Sequence, residues 1–245
     1  MLAFIGGTGL ARMSGLEITG EHPPRTEWGE ASAAVTEGSL EGQPVLFLPR
    51  HGDPHSVLPH KVDYRANIAA LAGAGATRVI AVNAVGGIRD EALEPGTLVV
   101  PDQLIDYTWG RTASFHETAD SPDAHMDFTR PFDPALRKRL AEALESCQEH
   151  WVDGGCYGAT QGPRLETAAE ILRMERDGCT LVGMTGMPEA VLARESGLAY
   201  AMLCLVVNPA AGKSEREISM TEIEQVVAGG MGRVQTVLAE LARSF

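Results

Sequence analysis

Short apolar runs and helix-patterned segments take turns along this chain. Leu2–Ile5, Val45–Leu48, Arg78–Val82, Thr97–Val100, Cys156–Thr160, Leu181–Met184 and Leu198–Val207 are rich in β-branched residues and predict strands. Residues 64–73 carry Ile68 and Leu71 on one helical face. Residues 134–148 carry Leu136, Leu140, Leu144 and Cys147, with Asp133 as N-cap and Pro134 at the first helical position. Residues 188–196 predict a helix closed by Gly197. A final helix opens at Ser219-Met-Thr-Glu222, the spacing of a capping box, before Ile223, Val226 and Val227. Strands alternating with helices imply an α/β fold.

At 245 residues, 44% hydrophobic and 22% charged, the chain is long enough for one large domain over 1–245 with a sizeable core. Its net charge of −13 argues against nucleic acid or an anionic membrane as partner, since both reward clustered Lys and Arg. Any phosphate must therefore be bound by a few local groups. The first residues read as a strand entering a glycine turn, so no signal peptide is expected, and no apolar run is long enough to span a bilayer. Cys147, Cys156, Cys179 and Cys204 are widely spaced and suggest neither zinc nor a disulfide framework; they are expected as buried thiols in a reducing cytoplasm. Between Asp106 and Asp127 a polar, aromatic segment with Tyr107, Trp109, Phe115, His116 and His125 predicts a long loop, and loops of that length carry function or an interface.

Chemistry gathers where the apolar runs stop. Gly6-Gly-Thr-Gly9 lets backbone N–H groups approach an anion, with the Thr8 hydroxyl as a further donor. The lysine of a Walker loop is missing, as are the third glycine and distant acid of a dinucleotide fingerprint, so those readings fail. Arg50-His51, at another strand end, offers a planar fork and an imidazole to an oxyanion. In Ala159-Thr-Gln-Gly-Pro-Arg-Leu-Glu-Thr-Ala-Ala-Glu170, the Gly162-Pro163 turn precedes Ala168, Ile171, Leu172 and Met174 at helical spacing. This puts Glu166 in the first turn of a helix, where the dipole favours an anion; plain dipole compensation is the alternative to a functional role.

These segments, with Pro49-Arg-His-Gly52, Asn83-Ala-Val-Gly-Gly87, Gly183-Met-Thr-Gly-Met-Pro-Glu189 and Asn208, resemble the trimeric purine nucleoside phosphorylase and methylthioadenosine phosphorylase family. The resemblance runs from Ala3 to the last helix, with the motifs in the family's order. It implies the phosphorylase fold, a single domain with a mixed, partly closed central β-sheet flanked by helices. It also implies inorganic phosphate as co-substrate on Thr8, Arg50, His51, the Ala84 backbone and Thr185, without metal or organic cofactor. Asn83, Leu165, Glu166, Met184 and Asn208 become nucleoside contacts, with Met184 near the ribose and Asn83-Ala84 in a strand-end turn. His55 and His60 are read as structural.

Two departures within the family bear on the substrate. Where methylthioadenosine phosphorylases carry an acid after the strand ending at Val207, and a second acid two positions on, this chain has Asn208 and Ala210. An Asn amide accepts from a purine N7–H and donates to a 6-oxo group, and the Glu166 carboxylate accepts from N1–H. Asn208, Glu166 and His51 would carry the catalysis, although Pro209 stands where the 6-oxopurine branch has a lysine. At the other end, no histidine follows His150 to hold a 5′-hydroxyl. Met220 and Ile223 align, across a one-residue gap, with the aliphatic 5′ pocket of the methylthioadenosine branch, and a thioether favours such polarisable neighbours. The substrate satisfying both ends is 5′-methylthioinosine, giving hypoxanthine and 5-methylthioribose 1-phosphate. The rival readings are a methylthioadenosine phosphorylase that tolerates Asn208, an inosine and guanosine phosphorylase, and a non-catalytic nucleoside-binding trimer. The resemblance further implies a cytoplasmic homotrimer in which His125 reaches a neighbouring active site.

Overall fold

The computed structural model describes every residue from Met1 to Phe245 except Leu93, Ala119, Asp120, Pro122 and Asp123. The elements begin with β1 (Leu2–Gly6), β2 (Glu17–His22), β3 (Arg25–Thr26), β4 (Gly29–Glu30), β5 (Val35–Leu40) and β6 (Gln43–Pro49). They continue through α1 (Tyr64–Gly73), β7 (Arg78–Gly87), β8 (Leu98–Val100), β9 (Gln103–Asp106), α2 (Pro134–Ser146), β10 (Trp151–Asp153) and β11 (Cys156–Ala159). Then follow α3 (Ala168–Asp177), β12 (Cys179–Gly183), α4 (Gly186–Glu195), β13 (Ala199–Pro209) and α5 (Met220–Arg243). Among the described residues no helix is long and apolar enough to cross a membrane.

The predicted apolar runs all lie in one mixed sheet, ordered β10-β8-β13-β7-β1-β6-β5-β2, with β12, β11 and β9 branching from β7. Strands β6, β1, β7 and β13 run parallel. Both faces of these strands are covered, which is why they read as unbroken apolar runs. Along β13, Tyr200, Met202, Cys204 and Val206 enter the core layer shared with Ile68 and Leu71 of α1 and Leu192 of α4. The alternate residues Ala201, Leu203, Leu205 and Val207 enter the opposite layer with Leu140 of α2 and Val234 and Leu238 of α5. Period-two alternation thus divides one strand between two cores.

The sheet forks at β7. Its first half pairs with β1 from Arg78 to Ala81, whereas Gly86 and Gly87 pair with β12, so among the described residues the Val82–Val85 stretch has no strand on that edge. On the other edge β13 follows β7 to its end, with a register shift between Val206 and Asn208 that leaves Val207 as an extra residue. Such a bulge turns the following side chain to a new direction, here that of Asn208.

The helix starts are capped as the sequence predicts at Asp133, whose carboxylate accepts from Leu136 N–H, and at Ser219, which accepts from Glu222 N–H. The Ser219 box is only half formed, because the Glu222 carboxylate turns to Arg216 instead. A complete box forms elsewhere: Thr167 caps α3 and Glu170 reaches back to the Thr167 N–H. Consequently Glu166 precedes the N-cap and lies outside the helix, not in its first turn. Asn83 and Ala84 likewise lie within β7, not in a turn at its end.

Residues 107–127 contain no helix or strand among the described residues. Arg111 fastens this segment inward, donating to the Met184, Met187, Thr160 and Gln161 carbonyls. Glu195 holds its middle through Ser114 and the Phe115 N–H.

Candidate active site

The carboxyl ends of the parallel strands and the open window in β7 face one cavity of about 350 Å³. That is the expected location for a ligand in a doubly covered sheet. Its wall brings together Thr8 beyond β1, Arg50 and His51 beyond β6, Asn83 and Ala84 of β7, Met184 and Thr185 beyond β12, and Asn208 of β13. Leu165 and Glu166 come from the β11–α3 turn, and Met220 and Ile223 from the start of α5. His125 does not join them; it is exposed, outside its own chain's cavity. His55, read as structural, borders the cavity with its ring 4.4 Å from that of His51. His60 lies apart from the wall, and its buried Nδ1 has no hydrogen-bond partner among the described residues.

Arg50 is placed by a residue whose part the sequence did not reveal. Its side chain is 1% exposed and meets the fully buried Glu189 of α4, with Nε 2.6 Å from Oε2 and Nη2 2.8 Å from Oε1. Tyr200 donates its hydroxyl to the same carboxylate at 2.7 Å. Burial disfavours the Arg50 cation, but the Glu189 charge overcomes it and holds the guanidinium above its ordinary pKa. The fork expected for an oxyanion is thus spent on Glu189. A third N–H, on Nη1, goes to the Val82 carbonyl across the window in β7 at 2.9 Å. One N–H on each terminal nitrogen remains for a ligand. Strand alternation turns Ala84, two residues beyond Val82, to the same edge, so its N–H faces the window as well. Gly7 is required for this crowding: a Cβ there would lie 2.4 Å from the Val82 oxygen and 2.9 Å from Arg50 Nη1.

His51 differs from the expectation of a donor. Its Nδ1 lies 2.8 Å from the Val57 carbonyl, which can only accept, so Nδ1 carries the hydrogen. Burial and the Arg50 charge push the imidazole down to about 4. At neutral pH Nε2 is therefore a bare lone pair. Thr185 is also committed, donating its hydroxyl to Asn83 Oδ1 at 2.8 Å.

Glu166 accepts the Thr160 hydroxyl at 2.7 Å through Oε1, and among the described residues Oε2 has no partner. Its neighbour Arg164 is turned away, forming a two-pronged pair with Glu170 at 2.8 Å for each oxygen. Asn208 donates Nδ2 to the Pro209 carbonyl at 2.7 Å. That bond fixes the amide, leaving Oδ1 and the second N–H free. Gly162, at φ +59°, would bring a Cβ within 2.5 Å of Met184 Sδ, so this glycine lets the Glu166 turn rest on the methionine. Beside Asn208 the wall becomes apolar through Val207, Ile218, Met220 and Ile223.

Glu189, Tyr200, Thr160 and Arg111 were not singled out by sequence reasoning. Glu189 closes a quoted motif, and an acid straight after Gly-Met-Pro at a helix start was the available signal. Arg111 carried none, because its partners lie 49 to 76 residues away, and Thr160 and Tyr200 sit in apolar runs that predict strands and show no polar pattern, although Glu166 and Glu189 are only 6 and 11 residues from them.

Comparison with known proteins gives the family. Residues 2–243 match the family described as the phosphorylase superfamily. The chain is 53% identical over 243 residues to a "Probable S-methyl-5'-thioinosine phosphorylase" of Xanthomonas campestris, covering 99% of this chain and 97% of that one. It is 40% identical to a "6-oxopurine nucleoside phosphorylase" of Pyrococcus furiosus, covering 92% and 86% of the respective chains. Among solved structures, a methylthioadenosine phosphorylase from Schistosoma mansoni in complex with adenine superposes with a TM-score of 0.92 at 30% identity, covering 99% of this chain and 90% of that one.

Proposed function

The chain belongs to the phosphorylase superfamily, and on that premise we propose that it cleaves 5′-methylthioinosine with inorganic phosphate, giving hypoxanthine and 5-methylthioribose 1-phosphate. The observation that carries the choice is the pairing, in one cavity, of acceptor-bearing Glu166 and Asn208 with the apolar wall of Ile218, Met220 and Ile223. Hypoxanthine donates from N1–H and, on leaving, from N7–H; adenine has a bare N1. A site that strands buried polar groups discriminates by about 10⁴ or more. The name borne by the Xanthomonas relative supports the same substrate.

In the proposed reaction a phosphate oxygen attacks C1′ as the C1′–N9 bond breaks, and the bonding pair departs into the purine. N7 takes a proton from solvent water and donates that N–H in a hydrogen bond to Asn208 Oδ1, while N1–H rests on Glu166 Oε2. Phosphate lies against the free N–H groups of Arg50, the Ala84 N–H and Thr8. Thr185, turned towards Asn83, contributes by rotating its hydroxyl. The lone pair on His51 Nε2 accepts the hydroxyl hydrogen of monohydrogen phosphate, which leaves the unprotonated oxygens for the cation and for C1′. Met184 packs near the ribose. The catalysis is positioning and preorganised electrostatics, with no covalent enzyme intermediate.

The working form in this reading is a homotrimer in which the exposed His125 of one subunit covers the sugar in the next. The exposure of His125, outside the cavity of its own chain, supports it. Light scattering gives the subunit number. Phosphate-dependent base release from methylthioinosine, methylthioadenosine and inosine, measured side by side, tests the substrate. Methylthioinosine is expected to lead by orders of magnitude; a lead for methylthioadenosine refutes the base-site reading, and one for inosine the 5′-site reading.

A further inference from the structure

Resting on that reading of the base site, we infer that Thr160 is a positioning residue that determines purine specificity. Its hydroxyl holds the Glu166 carboxylate as an acceptor and so selects 6-oxopurines over 6-aminopurines. Thr160 is 8% exposed and borders the cleft behind Glu166, away from the substrate cavity. It therefore acts through Glu166.

The hydroxyl has one hydrogen and two acceptors in reach, Glu166 Oε1 at 2.7 Å and the Gly183 carbonyl at 3.3 Å. Gly183 already accepts the Thr160 N–H at 2.8 Å, so the shorter bond to the carboxylate takes the hydrogen. The Thr160 backbone is held on both sides, its N–H on the Gly183 carbonyl and its carbonyl by Arg111 Nη2 at 3.2 Å. Glu166 has no competing support. Arg164 is committed to Glu170, the capping box leaves Glu166 outside α3, and Thr160 is its sole side-chain hydrogen-bond donor among the described residues.

The Thr160 hydrogen on Oε1 fixes the plane of the carboxylate and leaves Oε2 as the acceptor that faces the purine. That oxygen takes N1–H of hypoxanthine and repels the N1 lone pair of adenine.

Thr160→Val removes the hydroxyl at nearly constant volume. The expected result is a fall of about tenfold in kcat/KM for methylthioinosine relative to methylthioadenosine, the loss of one charge-assisted bond on one side of the comparison. Calorimetric affinities for hypoxanthine relative to adenine should fall in parallel, and Thr160→Ser should restore both ratios. In a Glu166→Gln background, Thr160→Val should leave the ratios unchanged. Thr160→Ala carries the same expectations if the valine variant does not accumulate as folded protein. Equal losses on both purines, or an effect that persists in the Glu166→Gln background, overturn the inference. Wild-type protein with no preference for methylthioinosine over methylthioadenosine overturns the parent reading as well; a preference that survives Thr160→Val unchanged overturns this inference alone.

Discussion

Replacing Glu189 by Gln keeps the volume of the side chain and removes its charge. The Arg50 guanidinium is then left 1% exposed without a counter-charge, and an amide N–H is forced against either Arg50 or the Tyr200 hydroxyl. Breaking one side of a buried ion pair costs about 3–5 kcal/mol. For a chain of this size each kcal/mol moves the melting temperature by about 2–4 °C, so a drop of about 6–20 °C is expected. Differential scanning calorimetry with and without phosphate is the assay. With phosphate bound as proposed, the missing negative charge beside Arg50 is restored, so the stabilising increment should be larger in Glu189→Gln than in the wild type. The same substitution at Glu41, whose pair with Arg243 is exposed on the surface, should leave the melting temperature within error. A Glu189→Gln drop of under about 2 °C, or equal phosphate increments, refutes the assignment of Glu189 as the counter-charge that holds Arg50.

For His51 the folded imidazole sits lower, at about 4, than its ordinary value of about 6.5, so the unfolded chain binds the extra proton. The stability it contributes is complete above pH ~6.5 and lost as pH falls towards about 4, and His51→Gln should flatten that part of the stability curve. Imidazole ¹⁵N spectra should show an Nδ1–H tautomer that does not titrate near neutrality. Asn208→Asp should shift preference towards 6-aminopurines, since a carboxylate accepts from an exocyclic NH₂ but cannot donate to a 6-oxo group; unchanged kcat/KM ratios count against the base-site assignment. Ile223→Ser should reduce the advantage of 5′-methylthio over 5′-hydroxyl nucleosides about tenfold, and a ratio that stays put removes Ile223 from the 5′ pocket.

The cavity wall was legible because strand ends expose their chemistry in sequence: an apolar run followed by Gly-Thr-Gly, Arg-His or Asn. What the sequence hid was mainly long-range. Arg50 and Glu189 lie 139 residues apart, and nothing in the local pattern says that the expected phosphate fork is turned to a carboxylate. Glu166 was misplaced by one local oversight, since Thr167-Ala-Ala-Glu170 has capping-box spacing and pushes it out of the helix. β7 was cut short at Val82 because Asn83, although 2% exposed, looks like a turn residue. β2 escaped because its residues are exposed or half-buried, so it carries no apolar pattern.

The buried Arg50–Glu189–Tyr200 cluster divides the cavity into unequal halves for evolutionary change. The phosphate end is welded to the core, so altering it threatens the whole molecule. In the proposed site the purine and 5′ ends are furnished by a turn, a bulged strand tip and the first turn of a helix, where Glu166, Asn208 and the exposed Met220 lie outside the core clusters. A scaffold divided this way passes on its chemistry unchanged while its choice of nucleoside drifts, and divergence in substrate requires no reinvention of the reaction.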